Sequence, residues 1–226
     1  MIQNVLIIGD GAFAEVAYEY FTHDSNYEVV GFAVERAHLK RDTLFGLPVI
    51  AWEDAEHRFP PGTCDVYAAI VFNQMNRLRA RFVAEAQARG YGLASYVSSR
   101  AFVWPNVTLG EHCFIFEDNT VQPFVMIGDN VVLWSGNHVG HHARISNHVF
   151  VSSHVVLSGA SHVGEYAFMG VNSTVANDVR VAKDCWIGPG VMIAKDTEEA
   201  KIYRARTVDP ATISSLRYFK VPEPTI

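Results

Sequence analysis

From Val103 to Ile193 every sixth residue is aliphatic, with methionine once, sixteen times in succession: Val103, Leu109, Ile115, Val121, Ile127, Leu133, Val139, Ile145, Val151, Leu157, Val163, Met169, Val175, Val181, Ile187 and Ile193. A period of six matches neither the 3.6 residues of a helical turn nor the two-residue alternation of a strand, so it marks a repeat architecture. The residue two places before the aliphatic is usually small or apolar, as at Val107, Cys113, Val125, Ala143, Val155, Ala167 and Cys185. Glycine follows the aliphatic at Gly110, Gly128, Gly140, Gly164, Gly170 and Gly188, where it is expected to end each strand in a turn with φ > 0. Short strands with two inward positions wind into a triangular parallel β-helix, three hexapeptides per coil. Sixteen hexapeptides make a little over five coils, a stack roughly 25 Å tall at one strand spacing per coil.

Ahead of the repeat the pattern changes. Residues 3–9 read as a buried parallel strand ended by Gly9-Asp10-Gly11, followed by a helix over 12–22 and a second strand over 27–34. Further buried strands are predicted over 66–72 and 92–97, a helix over 76–89 and a short helix over 51–57. Alternating strands and helices imply a small Rossmann-like α/β domain with a parallel sheet. The expected division is an α/β domain over 1–97, the β-helix over 98–195, and a tail over 196–226 with a short helix over 210–219 and a frayed end over 221–226.

Composition narrows the function classes. A net charge of −6 without a basic tract argues against a nucleic-acid partner. No apolar run reaches membrane length and the start MIQNVLIIGDG lacks a basic leader region, so a cytoplasmic protein is expected. Cys64, Cys113 and Cys185 are odd in number and lack metal-ligand spacing; they read as packing thiols. Trp104, Phe116 and Trp134 follow inward aliphatics and should point outward, with Phe116 and Trp134 one coil apart; packing against another copy is the expected cover.

Two segments carry candidate chemistry. Five histidines fall between 138 and 154: His138, His141, His142, His148 and His154. His141 lies two residues past an inward aliphatic, at a corner and outside the apolar prism. Imidazole takes and returns protons near neutral pH. One coil later in the same column is Gly159, whose backbone N–H is about 4.8 Å along the stack. A base beside an N–H donor is what acyl transfer needs, one group taking the nucleophile's proton and the other steadying the oxyanion. His112, His148 and His162 read as solvated or interface residues. At the other end, Gly9-x-Gly11-x-x-Ala14 follows a strand and opens a helix, with Glu35 ending the next strand, the context of a dinucleotide fingerprint. The domain is only half a dinucleotide unit, so the glycine turn is expected to hold a nucleotide phosphate or base instead. Asn73, just after a buried strand, offers a donor and an acceptor at the same sheet edge.

The hexapeptide run with Gly-His-His-Ala-Arg-Ile at 140–145, together with Gly9-Asp10-Gly11, resembles the bacterial nucleotide-sugar acetyltransferases: the N-acetyltransferases of UDP-, GDP- or dTDP-linked 4-amino-4,6-dideoxysugars and their sialic acid O-acetyltransferase relatives. The resemblance covers all but about the last thirty residues. It implies a left-handed β-helix, a homotrimer with acetyl-CoA along the cleft between neighbouring β-helices, a nucleotide sugar on the N-terminal domain, and a place in surface-polysaccharide or glycan biosynthesis. By position it implies His141 as general base and Gly159 as donor to the acetyl carbonyl. His142 stands where an acidic residue usually orients the base, and Phe150 where a second histidine usually contacts the thioester; both are departures. Either His142 orients His141 through a ring nitrogen or another carboxylate does so, and His154 and His138 are the possible substitutes for the second histidine. Gly9, Asp10, Gly11, Ala12, Phe13, Glu35 and Asn73 are the candidate nucleotide-sugar contacts. Gly159, Gly170, Asn172, Gly188, Lys183 and Lys195 are the candidate acetyl-CoA contacts, the lysines serving a 3′-phosphate.

The expected activity is direct acetyl transfer to a sugar amine, since no Cys or Ser is placed beside His141 as a nucleophile. O-acetylation of a sugar hydroxyl is the alternative within the class. A β-helical zinc enzyme of the γ-carbonic anhydrase type, drawing on the four-residue spacing of His138 and His142, and a non-catalytic binding scaffold are the remote alternatives; no metal is expected.

Overall fold

The computed structural model describes residues 2–206 and 210–221. Most of the end expected to fray, 222–226, lies outside the described residues. The N-terminal sheet contains β1 (Gln3–Ile8), β2 (Tyr27–Val34), β3 (Thr43–Leu44), β4 (Leu47–Ala51), β5 (Asp65–Ala68) and β6 (Gly92–Leu93), ordered β3-β4-β2-β1-β5-β6. Every pairing is parallel except the β3/β4 hairpin. Val5 and Ile7 pack with the apolar side of α1 (Ala12–His23), while Leu6 and Ile8 pack with Ala55 of the short α2 (Ala55–Arg58) and the apolar side of α3 (Arg77–Ala88). A strand covered on both faces reads as a continuous apolar run, which is why 5–8 shows no alternation.

The single strand expected over 92–97 divides. Gly92–Leu93 pairs with β5, whereas Tyr96–Val97 pairs with Phe114–Ile115 of the first coil. The chain therefore passes from one sheet to the next across buried Ala94, without a loose linker.

The repeat forms a left-handed parallel β-helix of three sheets, with strands paired at a separation of one coil, as in Thr120↔His138 and His138↔Val156. The first face runs from Tyr96–Val97 to Ile202–Tyr203, the second from Phe102–Val103 to Met192–Ile193, and the third from Thr108–Leu109 to Arg180–Val181. The ladder thus overruns the expected 98–195 at both ends. The inward aliphatics from Ile115 to Ile193 and their small partners fill one continuous core.

The turns are built differently from the expectation. The left-handed backbone falls at every sixth residue from His112 to Gly190, including Asp118, Phe124, Asn130, His142, His148, His154, Ala160 and Asn172. The glycines that follow the inward aliphatics do not take positive φ. They answer close approach between coils: a Cβ at Gly140 would stand 2.6 Å from the Gly159 nitrogen.

The cover of the outward aromatics also differs. Phe116 and Trp134 do stack, at 4.4 Å and 11°, but α1 of the same chain closes over them. The Phe13 ring lies 6.3 Å from Phe116 and 5.7 Å from Trp134, and Tyr20 packs edge-on to Phe116 at 5.0 Å. Their partner is the N-terminal domain, which occupies the first face, rather than another copy. Trp104 remains exposed, as expected, on the second face. In the tail, the helix α4 (Ser215–Tyr218) is shorter than the predicted segment, and residues 210–221 are all exposed.

Candidate active site

His141 stands at the corner between the second and third faces, the prism edge opposite the N-terminal domain. Its backbone N–H donates to Gln122 Oε1 at 2.9 Å. Its Nδ1 lies 3.1 Å from His142 Nδ1, with the rings edge to face at 85°. His142 is itself held by stacking on Phe124, one coil below, at 4.7 Å. Two ring nitrogens in contact share one proton. When His141 donates from Nδ1 to His142, its Nε2 keeps a free lone pair, the tautomer a general base requires. His142 Nδ1 stands where it can accept that hydrogen bond from His141.

The other edge of the His141 ring lies over Gly159. A Cβ there would stand 2.8 Å from both Cε1 and Nε2 of His141. The Gly159 carbonyl accepts from Asp178, but its N–H has no acceptor among the described residues. Gly140, one coil below, leaves the Gly159 nitrogen uncovered because it lacks a Cβ. Gln122 and Phe124 were missed in the sequence; their only signal is their place one coil before the histidine pair.

The remaining histidines are elsewhere. His154 occupies the corner between the first and second faces, its ring over Gly136, on a different prism edge from His141. His138 lies outward on the second face, between Thr120 and Val156. His112 is not solvated but buried in the joint between the domains, where it accepts from the Ala68 N–H at 2.8 Å and stacks on Tyr67. His148 accepts from Asn130 Nδ2 at 2.9 Å, and burial lowers its pKa from the usual histidine range. Phe150 sits on the first face, stacked on Phe168 beneath the N-terminal domain. No group of three or more His, Cys, Asp or Glu side chains placed to hold a metal occurs among the described residues. None of their helices is long and apolar enough to cross a membrane.

The glycine turn opens a cavity of about 400 Å³ in the N-terminal domain, lined by Gly9, Asp10, Gly11, Ala12, Phe13, Glu35, His38, Ile70, Val71 and Asn73 among others. All seven candidate nucleotide-sugar residues meet there. Gly9 is at φ +120, with the Ala69 carbonyl 3.1 Å from where its Cβ would be, so only glycine brings the turn this close to the sheet. Gly11 caps α1 without a side chain, leaving the first helical N–H groups toward the cavity. Glu35 is held by Arg81 at 2.9 Å. The Phe13 ring is spent on the aromatic joint, so its backbone is what it offers a ligand. None of the corner histidines lines this cavity.

The candidate acetyl-CoA residues fall on different edges. One coil is eighteen residues, so Gly159 and Lys195 stand in the column of His141 at its own corner. Asn172 shares the corner of His154, and Lys183 lies on the third corner; Asn172, Lys183 and Lys195 are exposed. Gly170 and Gly188 are buried, and a Cβ on Gly170 would meet the Gly188 carbonyl carbon at 2.7 Å, so coil packing accounts for that glycine.

No protein-family model and no curated protein sequence matches the chain. Solved structures do. PerB of Caulobacter crescentus, in complex with CoA and GDP-perosamine, superposes with a TM-score of 0.80 at 26% identity, covering 89% of this chain and 94% of that one. A variant of that perosamine N-acetyltransferase with one histidine replaced by asparagine, bound to the same two ligands, matches with the same score and identity over 89% and 93%. The acetyltransferase domain of PglB from Neisseria gonorrhoeae FA1090, in complex with acetyl coenzyme A, has a TM-score of 0.80 at 21% identity over 89% and 96%. The chain is similar in fold, over both domains, to the hexapeptide-repeat nucleotide-sugar acetyltransferases.

Proposed function

We propose that this chain is an acetyl-CoA-dependent N-acetyltransferase acting on the amine of a nucleotide-linked 4-amino-4,6-dideoxysugar. The observation that carries the reading is His141: an imidazole with Nδ1 engaged by His142, lying over a glycine whose N–H has no acceptor among the described residues. The likeness to a structure holding CoA and GDP-perosamine supports the two substrates.

In the proposed reaction His141 Nε2 takes a proton from the sugar amine as its nitrogen attacks the thioester carbonyl. The Gly159 N–H donates to the developing oxyanion. The C–S bond breaks, and the proton on His141 passes to the CoA thiolate. The products are the N-acetylated sugar and CoA, and the base is regenerated. Acetyl-CoA lying along the His141 corner would bring its phosphates toward Lys195, three coils on.

The active site is proposed to lie between subunits of a homotrimer. His141 is on the edge farthest from its own nucleotide cavity and lines no part of it. Phe102, Trp104, Phe124 and Met126 are exposed on the two faces the N-terminal domain leaves open, where a second β-helix would cover them. The proposed compartment is the cytoplasm, where acetyl-CoA is available.

The deciding experiment is a thiol-release assay with acetyl-CoA and UDP-, GDP- and dTDP-linked 4-aminosugars. Turnover of one of them, reduced 10² or more in His141→Asn with CoA binding retained, is the expected result. Turnover of a hydroxyl acceptor alone would establish O-acetylation instead, and wild-type rates in His141→Asn would remove His141 from the mechanism.

A further inference from the structure

Arg79 on α3 is fully buried, yet no carboxylate of the described residues reaches it. One side of its guanidinium grips the β-helix: Nε donates to Asn130 Oδ1 at 2.8 Å, and Nη2 to the Asn130 and Val149 carbonyls at 3.1 and 3.5 Å. The other grips the loop after β5: Nη1 donates to the Ile70 and Val71 carbonyls at 3.2 and 3.4 Å. Ile70 and Val71 are walls of the nucleotide cavity. A buried cation satisfied only by carbonyl dipoles is costly, and an apolar side chain would serve packing better. Its presence calls for a reason beyond stability.

The rest of the loop is held in the same divided way. Buried Asn76 donates to the Tyr166 and Ala167 carbonyls, each at 3.3 Å. The Phe72 ring packs on Phe168 at 4.7 Å and Phe150 at 5.4 Å. Arg77 pairs with Asp184 at 2.7 Å. Ile70, Val71 and Asn73 line the cavity, while Phe72, Asn76, Arg77 and Arg79 do not. Between them Gln74, Met75 and Asn76 take φ of 51, 50 and 65, three successive non-glycine residues in the left-handed region. A connection from strand to helix needs neither this strain nor a buried cation.

We infer that Arg79, with Phe72, Asn76 and Arg77, is a positioning device, which fixes the cavity wall formed by Ile70, Val71 and Asn73 to the β-helix and so sets nucleotide affinity without itself touching the ligand. The inference rests on the nucleotide reading of the cavity. Wall residues held in place before binding spare the ligand the cost of ordering them.

The test is calorimetric titration of UDP, GDP, dTDP and CoA into full-length wild type, Phe72→Ala, Phe72→Leu and Arg79→Lys, with thermal melts alongside. Phe72 is half-exposed, so its variants are expected to fold even where Arg79→Lys does not. Phe72→Ala and Arg79→Lys should weaken the preferred nucleotide about tenfold and CoA less than about twofold, the scale of ordering one loop; Phe72→Leu should recover most of the loss. Lower melting temperatures with unchanged nucleotide affinity in Phe72→Ala would overturn the inference and leave the functional proposal standing. A wild type that binds none of the three nucleotides overturns both.

Discussion

The Nδ1 atoms of His141 and His142 stand 3.1 Å apart, and the ring of His142 is fixed by its stack on Phe124. In this arrangement the second histidine matters for its lone pair rather than its charge. His142→Asn keeps an acceptor in a left-handed position that asparagine tolerates, and should retain kcat within about twofold. His142→Phe keeps the stack but loses the acceptor. Its kcat should fall about five- to tenfold, the worth of one hydrogen bond, with KM for acetyl-CoA unchanged. Steady-state kinetics of the two variants decide the matter; a loss in His142→Asn with kcat retained in His142→Phe would mean that the ring, not the acceptor, is what His142 provides.

Gly159 and Gly140 lack a side chain for opposite reasons, and alanine separates them. At Gly159 the new methyl would press on the His141 ring, which is exposed and can swing away. Gly159→Ala should therefore fold with a melting temperature near wild type and lose transfer activity, about 10² or more if the ring leaves its place. At Gly140 the methyl would meet backbone, 2.6 Å from Gly159 N and 2.8 Å from the Ser158 carbonyl carbon, and neither can move without breaking the coil. Gly140→Ala should be the less stable protein by several degrees. A Gly159→Ala enzyme with full activity would show that the ring position is not critical.

The prism was legible because the inward aliphatic position must be apolar for the coil to close and repeats without exception from Val103 to Ile193, whereas the second inward position also admits Asn119, Asn137, Ser161 and Ser173. The candidate histidine was legible for a reason visible only in hindsight. His112, His142, His148 and His154 are multiples of six apart because the corner backbone is left-handed there, a conformation that favours Asn, Asp, His and Gly. His141 is outside that series, so its imidazole is not explained by backbone preference. What covers an outward aromatic was not legible: a face pattern marks Phe116 and Trp134 as outward but cannot tell an intramolecular domain from a second copy. Arg79 was invisible because arginine in a helix reads as solvated, and its partners Asn130 and Val149 are 51 and 70 residues away.

Trp104 tests the proposed assembly. It is 43% exposed, with the Phe102 ring 6.0 Å away, on a face the chain itself leaves open. A buried glutamate at a trimer interface is costly, so Trp104→Glu should shift the mass measured by light scattering from trimer toward monomer. Circular dichroism should remain that of the folded coil. Because cavity and His141 are proposed to come from different copies, turnover per chain should fall at least about tenfold at low protein concentration and recover as concentration rises. A folded monomer with undiminished turnover would rule out a site shared between subunits.

His112 makes the domain joint sensitive to acid. Its Nε2 accepts the Ala68 N–H at 2.8 Å, so Nδ1 carries the proton and donates to Asn130 Oδ1 at 3.0 Å. A second proton would set a donor against a donor, in a buried site beside the Arg79 cation. Burial and that cation push its pKa down to about 3. An unfolded histidine takes its proton near pH 6.5. Between these values the unfolded chain binds a proton that the folded chain refuses, so stability is full above about pH 6.5 and declines as pH falls toward 3, by up to about 1.4 kcal/mol per pH unit. His148 and His162, also lowered by burial, act in the same direction. Asp24, held at about 2 by the hydroxyls and N–H around it, adds its part only at lower pH. His112→Gln removes one proton from the balance. Denaturant melts between pH 4 and 7 should show a shallower loss of stability for this variant than for wild type, whatever the offset at neutral pH, and parallel curves would mean that His112 takes up its proton in the folded protein.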